Sequence, residues 1–155
     1  MVNYIESGDI FSIEGVSSYA HGCNCAGAMG RGIAVQFRKK FPQMYDNYRR
    51  MCLSGSYNPG DVYDYNYGYG HVYNLATQQH YSIPGQPAKL EYIEASMNKM
   101  MSLAEADGVK AIALPKIGAG LGGLNWDEVK HVIEKVAAKH NHVDLYVVEN
   151  YSPSQ

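Results

Sequence analysis

Apolar residues recur along the chain at the spacing of helices in two long segments. They are Leu90, Ile93, Met97, Met100 and Ala104 in the first segment, and Val129, Val132, Ile133 and Val136 in the second. Each set covers one face of a helix, which predicts two helices packed against a core. Gly108 is placed to end the first helix, and Asn125 is placed to cap the start of the second. A further helical pattern starts at Ile33 and is interrupted or restarted at Pro42.

Short apolar segments typical of strands lie between these helices. They cover residues 2–5, 18–23, 110–115 and 143–151. Tyrosines alternate with polar residues from Tyr63 to Tyr67, a glycine turn follows at 68–70, and the apolar pattern resumes at Val72, which predicts a hairpin. Strands that alternate with helices predict an α/β fold with a mixed, mostly parallel sheet covered on both faces.

Composition limits the class of protein. The chain has 155 residues, 46% of them hydrophobic and 18% charged, which is typical of a single globular domain spanning 1–155, and we expect a disordered tail at 152–155. The net charge of −2 excludes general nucleic-acid binding, and no apolar run is long enough for a membrane span. The first residues lack the features of a secretory signal, which predicts a cytoplasmic protein. Cysteine and histidine spacing indicates no disulfide, no metal site and no cofactor.

Two glycine-rich segments each follow a predicted strand and precede a predicted helix. The first lies within "HGCNCAGAMGRGIAVQF" and the second is "GAGLGG", residues 118–123. Glycine lets backbone N–H groups approach phosphate oxygens closely, so such loops at the carboxyl ends of strands are able to hold an anion. Neither segment matches a standard nucleotide-binding fingerprint, and plain strand-to-helix turns remain an equal alternative.

Three segments together resemble the macrodomain family, whose members bind ADP-ribose. These are "ESGDIF", "HGCNCAGAMGRGIAVQFRKKFP" and "LPKIGAGLGGLNWDEV", which occur in the family's order. The form "MGRGIAVQFRKKFP" resembles the branch that contains the terminal ADP-ribose glycohydrolase, the DNA-linked ADP-ribose hydrolases and the fungal phosphatase of ADP-ribose 1″-phosphate. The resemblance implies a three-layer α/β/α macrodomain.

The resemblance also implies a set of ligand-binding residues. Asp9 corresponds to the carboxylate that accepts a hydrogen bond from adenine, with Ile10 beside it, and Asn24 corresponds to the residue at the distal ribose. The two phosphate loops correspond to Gly30, Arg31, Gly32 and Ile33, and to Gly118, Ala119, Gly120, Leu121 and Gly122. A turn aspartate at Asp9, an Asx turn at Asn24 and a solvent-facing Arg31 side chain are the alternatives.

The resemblance disfavours one activity and favours another. Glycohydrolases of this branch use a lysine and an aspartate where this chain has Gln78 and Gly122, although Lys89 or Lys116 is available as an amine. His21 corresponds to a histidine of the fungal phosphatase, where it would act as nucleophile or proton donor beside Asn24; a histidine that only hydrogen-bonds the backbone is the alternative.

We therefore predict a hydrolase that removes the terminal phosphate of ADP-ribose 1″-phosphate, with His21 and Asn24 as catalytic residues. The expected partners are ADP-ribose, ADP-ribose 1″-phosphate and ADP-ribosylated macromolecules. The alternatives are a glycohydrolase that removes ADP-ribose and a binder of ADP-ribose or a related nucleotide without turnover.

Overall fold

The computed structural model describes residues 1–81 and 87–154, and these form six strands and four helices. In chain order the elements are β1 (Val2–Ile5), β2 (Tyr19–Asn24), α1 (Ala34–Lys40), α2 (Pro42–Leu53), β3 (Val62–Asn66), β4 (His71–Gln78), α3 (Leu90–Ala106), β5 (Ala111–Pro115), α4 (Trp126–Ala137) and β6 (Asp144–Val148). In the described part of the chain, none of the helices combines the length and apolar character needed to cross a membrane.

The strands form one sheet in the order β1-β6-β5-β2-β4-β3. All neighbouring pairs are parallel except β3 and β4, which form the predicted hairpin closed by a hydrogen bond from the Tyr67 N–H to the Gly70 carbonyl. The prediction of a mixed, mostly parallel sheet is therefore confirmed. Because β2, β4 and β5 run in the same direction, their carboxyl ends meet at one edge of the sheet.

Helices cover both faces of the sheet, which confirms the three-layer α/β/α architecture. On one face, α3 and α4 pack against β4, β5 and β6 around Met97, Ile133 and Leu145. On the other face, α1 and α2 enclose a second core with Phe37 and Met44. Each amphipathic helix buries its apolar side against the sheet, and this burial is the main source of stability for such a fold.

The predicted helix boundaries follow from local chemistry. α1 ends at Lys40 and α2 begins at Pro42. Proline is tolerated in the first turn of a helix because the N–H groups there form no intrahelical hydrogen bond. Asn125 caps α4 by accepting a hydrogen bond from the Glu128 N–H at 3.2 Å. Asp127 and Glu128 stabilise the same end, because negative charge is favourable at a helix N-terminus.

The C-terminal tail is hydrogen-bonded to the loop that follows β1. The Ser152 N–H donates to the Gly8 carbonyl at 2.8 Å, and the Ser154 N–H donates to Asp9 Oδ2 at 2.9 Å. The disorder expected for 152–155 stays a prediction, and residue 155 lies outside the described residues.

Candidate ligand-binding cleft

A cleft of about 420 Å³ lies at the edge where the carboxyl ends of β2, β4 and β5 meet. Residues 28–34 form one side and residues 115–122, without Ala119, form most of the other. Gly22, Cys23 and Asn24 of β2, and Thr77 and Gln78 of β4, also line it. The structure thus brings both glycine loops together over one cavity, and its volume is within the usual range for small-molecule sites.

Both loops present backbone N–H groups without a hydrogen-bond partner in the described part of the chain. In the first loop these are the N–H groups of residues 30–33. In the second loop they are those of Gly118, Gly120, Leu121 and Gly122. Since all of these residues line the cleft, it carries a high density of hydrogen-bond donors and is suited to an anion.

The second loop is tightly closed and depends on two glycines. Gly118 has φ of 71°, and a Cβ atom there would lie 2.7 Å from Ile93 Cδ1. A Cβ atom at Gly122 would lie 2.7 Å from the carbonyl oxygen of Gly118. Because backbone atoms cannot give way as a flexible side chain does, this loop has no room for a side chain at Gly122.

Asn24 shapes the first loop through its side chain. Its Oδ1 accepts hydrogen bonds from the N–H groups of Ala26 and Ala28 and from the Tyr48 hydroxyl, and its Nδ2 donates to the Ala28 carbonyl. These contacts are those of an Asx turn, the alternative considered for this residue. Asn24 lines the cleft, so it both forms the turn and lies within reach of a ligand.

His21 does not lie at the cleft, which corrects the expectation that it sits beside the distal ribose. Its side chain is fully buried, stacks on Phe37 with ring centroids 4.0 Å apart, and its Nε2 lies 2.6 Å from Asn74 Oδ1. Successive residues of a strand point to opposite faces, so His21 shares a face with Cys23 in the core beneath α1. His21 therefore contributes to the packing between β2 and α1.

Burial also fixes the protonation state of His21. Asn74 Nδ2 donates to the carbonyls of Tyr63 and Val72, so Asn74 Oδ1 is an acceptor and His21 Nε2 carries the proton. Burial lowers the pKa of His21 to about 4, against a smaller opposing effect of the bond to Asn74. The imidazole is therefore neutral at physiological pH.

Asp9 and Ile10 lie in the loop that follows β1 and do not line the cleft. Ile10 is fully buried, and Asp9 accepts hydrogen bonds from the Phe11 N–H, the Ser12 hydroxyl and the Ser154 N–H. Partial burial would raise the pKa of Asp9, but these hydrogen bonds outweigh it and lower the pKa below its ordinary value. Asp9 is an ionised turn carboxylate at the same sheet edge as the cleft.

A larger depression of about 680 Å³ lies elsewhere, between α2, α3 and β3. It includes Leu103 and the ion pair of Lys99 with Asp61, whose Nζ and Oδ1 atoms are 3.3 Å apart. It contains neither glycine loop and no strand carboxyl end, so the cleft is the better candidate site.

The family profile of the Macro domain matches residues 20–133, a span that contains both loops of the cleft. The chain belongs to the Macro domain family. This confirms the family that the three sequence segments indicate.

Several known macrodomain proteins are similar to this chain. A DNA ADP-ribosyl glycohydrolase from Thermus aquaticus is 32% identical over 138 residues, which cover 86% of this chain and 38% of the relative. An ADP-ribose 1″-phosphate phosphatase from Meyerozyma guilliermondii is 29% identical and covers 86% of this chain and 93% of the relative. The solved macrodomain of Mycobacterium tuberculosis DarG superposes with a TM-score of 0.86 at 29% identity, covering 99% of both chains. The chain thus spans less than half of the length of the DNA ADP-ribosyl glycohydrolases from Thermus aquaticus and Mycobacterium bovis that it matches.

Several cleft residues of this macrodomain have no predicted binding role, and Lys116 and Thr77 are two polar ones among them. Lys116 follows β5, and its Nζ lies over the Trp126 ring, 5.8 Å from the centroid. Thr77 lies near the end of β4. Each is a polar residue at or just after the end of a predicted strand, which is the sequence signal for a position at such a cleft. With Arg31, which is exposed on the first loop, Lys116 supplies positive charge at the cleft.

The cysteines of this macrodomain are held as thiols. Cys23 lines the cleft but is buried, and burial raises its pKa far above the ordinary value. Burial also raises the pKa of Cys25 to about 12. Neither is a thiolate at neutral pH, so neither is suited to act as a nucleophile.

Proposed function

We propose that the cleft binds ADP-ribose and that the protein hydrolyses the terminal phosphate of ADP-ribose 1″-phosphate. The observation that carries the proposal is the convergence of two loops whose backbone N–H groups have no partner in the described residues. A diphosphate offers several acceptor oxygens and a negative charge to such donors. The names of the relatives, a phosphatase and glycohydrolases that act on ADP-ribosyl compounds, support the same ligand.

The proposed ligand orientation follows the sheet edge. The diphosphate lies between residues 30–33 and 118–122, and the distal ribose lies over Asn24, Thr77 and Gln78. Adenine extends towards β1, where Asp9 accepts from its amino group. Asp9 Oδ1 is the available acceptor, because it accepts only the bond from the Phe11 N–H, whereas Oδ2 already accepts from Ser12 and Ser154.

We infer that water is the nucleophile of the reaction. The cleft-lining residues that the structure describes include no carboxylate and no imidazole, and the Cys23 thiol is not ionised. Water attacks phosphorus as the bond between phosphorus and the ribose oxygen breaks. A proton of the water passes to the leaving ribose oxygen, and the products are ADP-ribose and inorganic phosphate. Phosphoryl transfer of this kind depends mainly on positioning and charge stabilisation, which the N–H groups and Lys116 supply.

A test of this function measures phosphate released from ADP-ribose 1″-phosphate. We expect release by the wild type and a decrease in kcat/KM of roughly 10²-fold for Lys116→Met, since a charged donor is lost. Lys110→Met, at the opposite end of β5, serves as the matched control and should retain full activity. Release of ADP-ribose from DNA or protein with no phosphate release would indicate a glycohydrolase instead. Binding in calorimetry without any turnover would indicate a binder.

The glycohydrolase alternative is favoured by the Thermus aquaticus relative, which is the more identical of the two relatives described above. Two features of the cleft oppose it. Gln78 lines the cleft where the resemblance expects a lysine, and Gly122 stands where it expects an aspartate. An aspartate at position 122 would also not fit, because the backbone of Gly118 occupies the space that its Cβ atom would need.

We expect the double variant Gln78→Lys with Gly122→Asp to gain no glycohydrolase activity. The introduced carboxylate displaces the second loop, so the lysine and the aspartate do not face one bound ribose. The measurement is release of ADP-ribose from ADP-ribosylated DNA, with Gln78→Lys alone as the control. Robust release by the double variant would mean that the loop adapts readily and that the missing side chains alone set the activity.

A further inference from the structure

A cluster of an imidazole and two carboxylates lies on the sheet face that packs against α3, away from the cleft. The ligand-type atoms of Asp64, His71 and Asp107 all lie within 4.8 Å of one another. Asp64 belongs to β3, His71 begins β4, and Asp107 is the C-cap of α3. His71 begins β4 and Gln78 ends it, about 23 Å further along the strand, so the cluster lies at the end of β4 opposite to the cleft.

The register of the hairpin explains how the side chains meet. Asp64 lies directly opposite Tyr73 in the antiparallel pair, so the two side chains share one face of the sheet. His71 is two residues before Tyr73 and therefore lies on that face as well. His71 Nδ1 is 2.7 Å from Asp64 Oδ1, and the end of α3 brings Asp107 over them.

The charges of this cluster are not balanced by basic side chains. Within residues 1–81 and 87–154, neither Asp64 nor Asp107 forms an ion pair with lysine or arginine, and His71 is the partner of Asp64. Asp107 lies at the carbonyl end of α3, where the helix dipole is negative and the last turn holds no basic residue. A carboxylate is unfavourable there unless a cation is nearby.

Tyr73 provides a second, independent indication of a ligand. Its side chain is fully buried, and its hydroxyl has no hydrogen-bond partner among the residues that the structure describes. Its ring is parallel to that of His71, with centroids 5.6 Å apart, and the charges of Asp64 and Asp107 act on its hydroxyl. A buried hydroxyl without a partner costs free energy, and a water molecule held at the cluster would supply one.

We propose that Asp64, His71 and Asp107 bind a divalent transition-metal ion of the zinc type, with water in the remaining position. An imidazole nitrogen favours such an ion over magnesium or calcium, which prefer sites made only of oxygen. The Tyr73 hydroxyl hydrogen-bonds to the metal-bound water. Because its ligands come from β3, β4 and the end of α3, the ion ties the hairpin to the helix and stabilises the fold.

The test uses metal-free full-length protein and adds Zn²⁺ or Co²⁺ alone. We expect one equivalent of Zn²⁺ to bind in calorimetry, a rise in Tm on addition, and visible absorption of bound Co²⁺. Asp107→Asn, a change at an exposed helix cap, should weaken Zn²⁺ binding at least about tenfold and remove the rise in Tm. His71→Gln should do the same.

The matched controls are Asp46→Asn and His142→Gln, which change exposed residues elsewhere and should leave metal binding intact. Tyr73→Phe gives a further readout: we expect it to stabilise the metal-free protein, by removing an unpartnered hydroxyl, and to reduce the gain in Tm that Zn²⁺ produces. Absence of any Tm rise and Co²⁺ absorption in the wild type would overturn the proposal. So would full Zn²⁺ affinity in both ligand variants, or near-ultraviolet Co²⁺–thiolate absorption, which would place the metal on the cysteines.

Discussion

Asn24→Ala is expected to weaken ADP-ribose binding at least tenfold and to lower the free energy of unfolding by about 2–4 kcal/mol. The buried side chain makes four hydrogen bonds, to the backbone of Ala26 and Ala28 and to the Tyr48 hydroxyl. Without them the N–H groups of residues 30–33 are no longer held in place, and the ligand must order the loop when it binds. Calorimetric titration and denaturant unfolding measure the two effects.

Two variants separate the shaping of the loop from direct contact with the ligand. Tyr48→Phe removes a hydroxyl that bonds to Asn24 but belongs to a residue that does not line the cleft, so a weaker affinity in this variant indicates an effect through the loop. Asn141→Ala makes the same chemical change as Asn24→Ala at an exposed position and should change neither property. If Tyr48→Phe binds ADP-ribose as tightly as the wild type while Asn24→Ala does not, Asn24 acts by contact alone.

The fold follows from the sequence because its signals are local. The apolar spacing from Leu90 to Ala104 specifies one buried helix face, and Asn125 marks the start of α4 through a cap that needs only neighbouring residues. The tyrosine alternation and the glycine turn at 68–70 specify the hairpin in the same way. These helices and strands are predictable because the spacing of their apolar residues shows directly which side of each is buried.

The cleft was predictable only in part. Both glycine loops were identified because each follows a strand and precedes a helix, and the parallel sheet brings them together. The position of His21 differs from the prediction because His21 lies three residues before the end of β2 and is covered there by Phe37 of α1. The family resemblance matches this residue by its position in the sequence, but it carries no information on how deeply α1 buries the side chain.

Contacts between distant segments lay beyond the sequence patterns. Ser154 reaches Asp9 across 145 positions of the chain, and no periodicity records such a pairing. The cluster of Asp64, His71 and Asp107 likewise joins two strands and a helix end, so it has none of the close ligand spacing by which metal sites are recognised in a sequence. Both features became visible only once the register of the sheet and the position of α3 were known.

The stability of the protein is expected to fall by about 3 kcal/mol as the pH drops from 6.5 to 4, through His21 alone. Its pKa in the folded protein is about 4, whereas in the unfolded chain it is near 6.5. Between these values the unfolded state binds a proton that the folded state does not, so the free energy of unfolding rises with pH in this window and is constant above it. The lowered pKa of Asp9 acts below this window, because its contribution is lost only as the pH falls through the acid range of a carboxylate.

Denaturant unfolding of the wild type and of His21→Gln across this pH range measures the effect. The variant should lose the slope between pH 6.5 and 4, since glutamine does not titrate, even if it is less stable throughout. His131→Gln removes an exposed histidine and should retain the slope. If His21→Gln instead unfolds with the same pH profile as the wild type but releases no phosphate from ADP-ribose 1″-phosphate, His21 contacts the substrate in a conformation in which it leaves the core, and its assignment to packing between β2 and α1 is wrong.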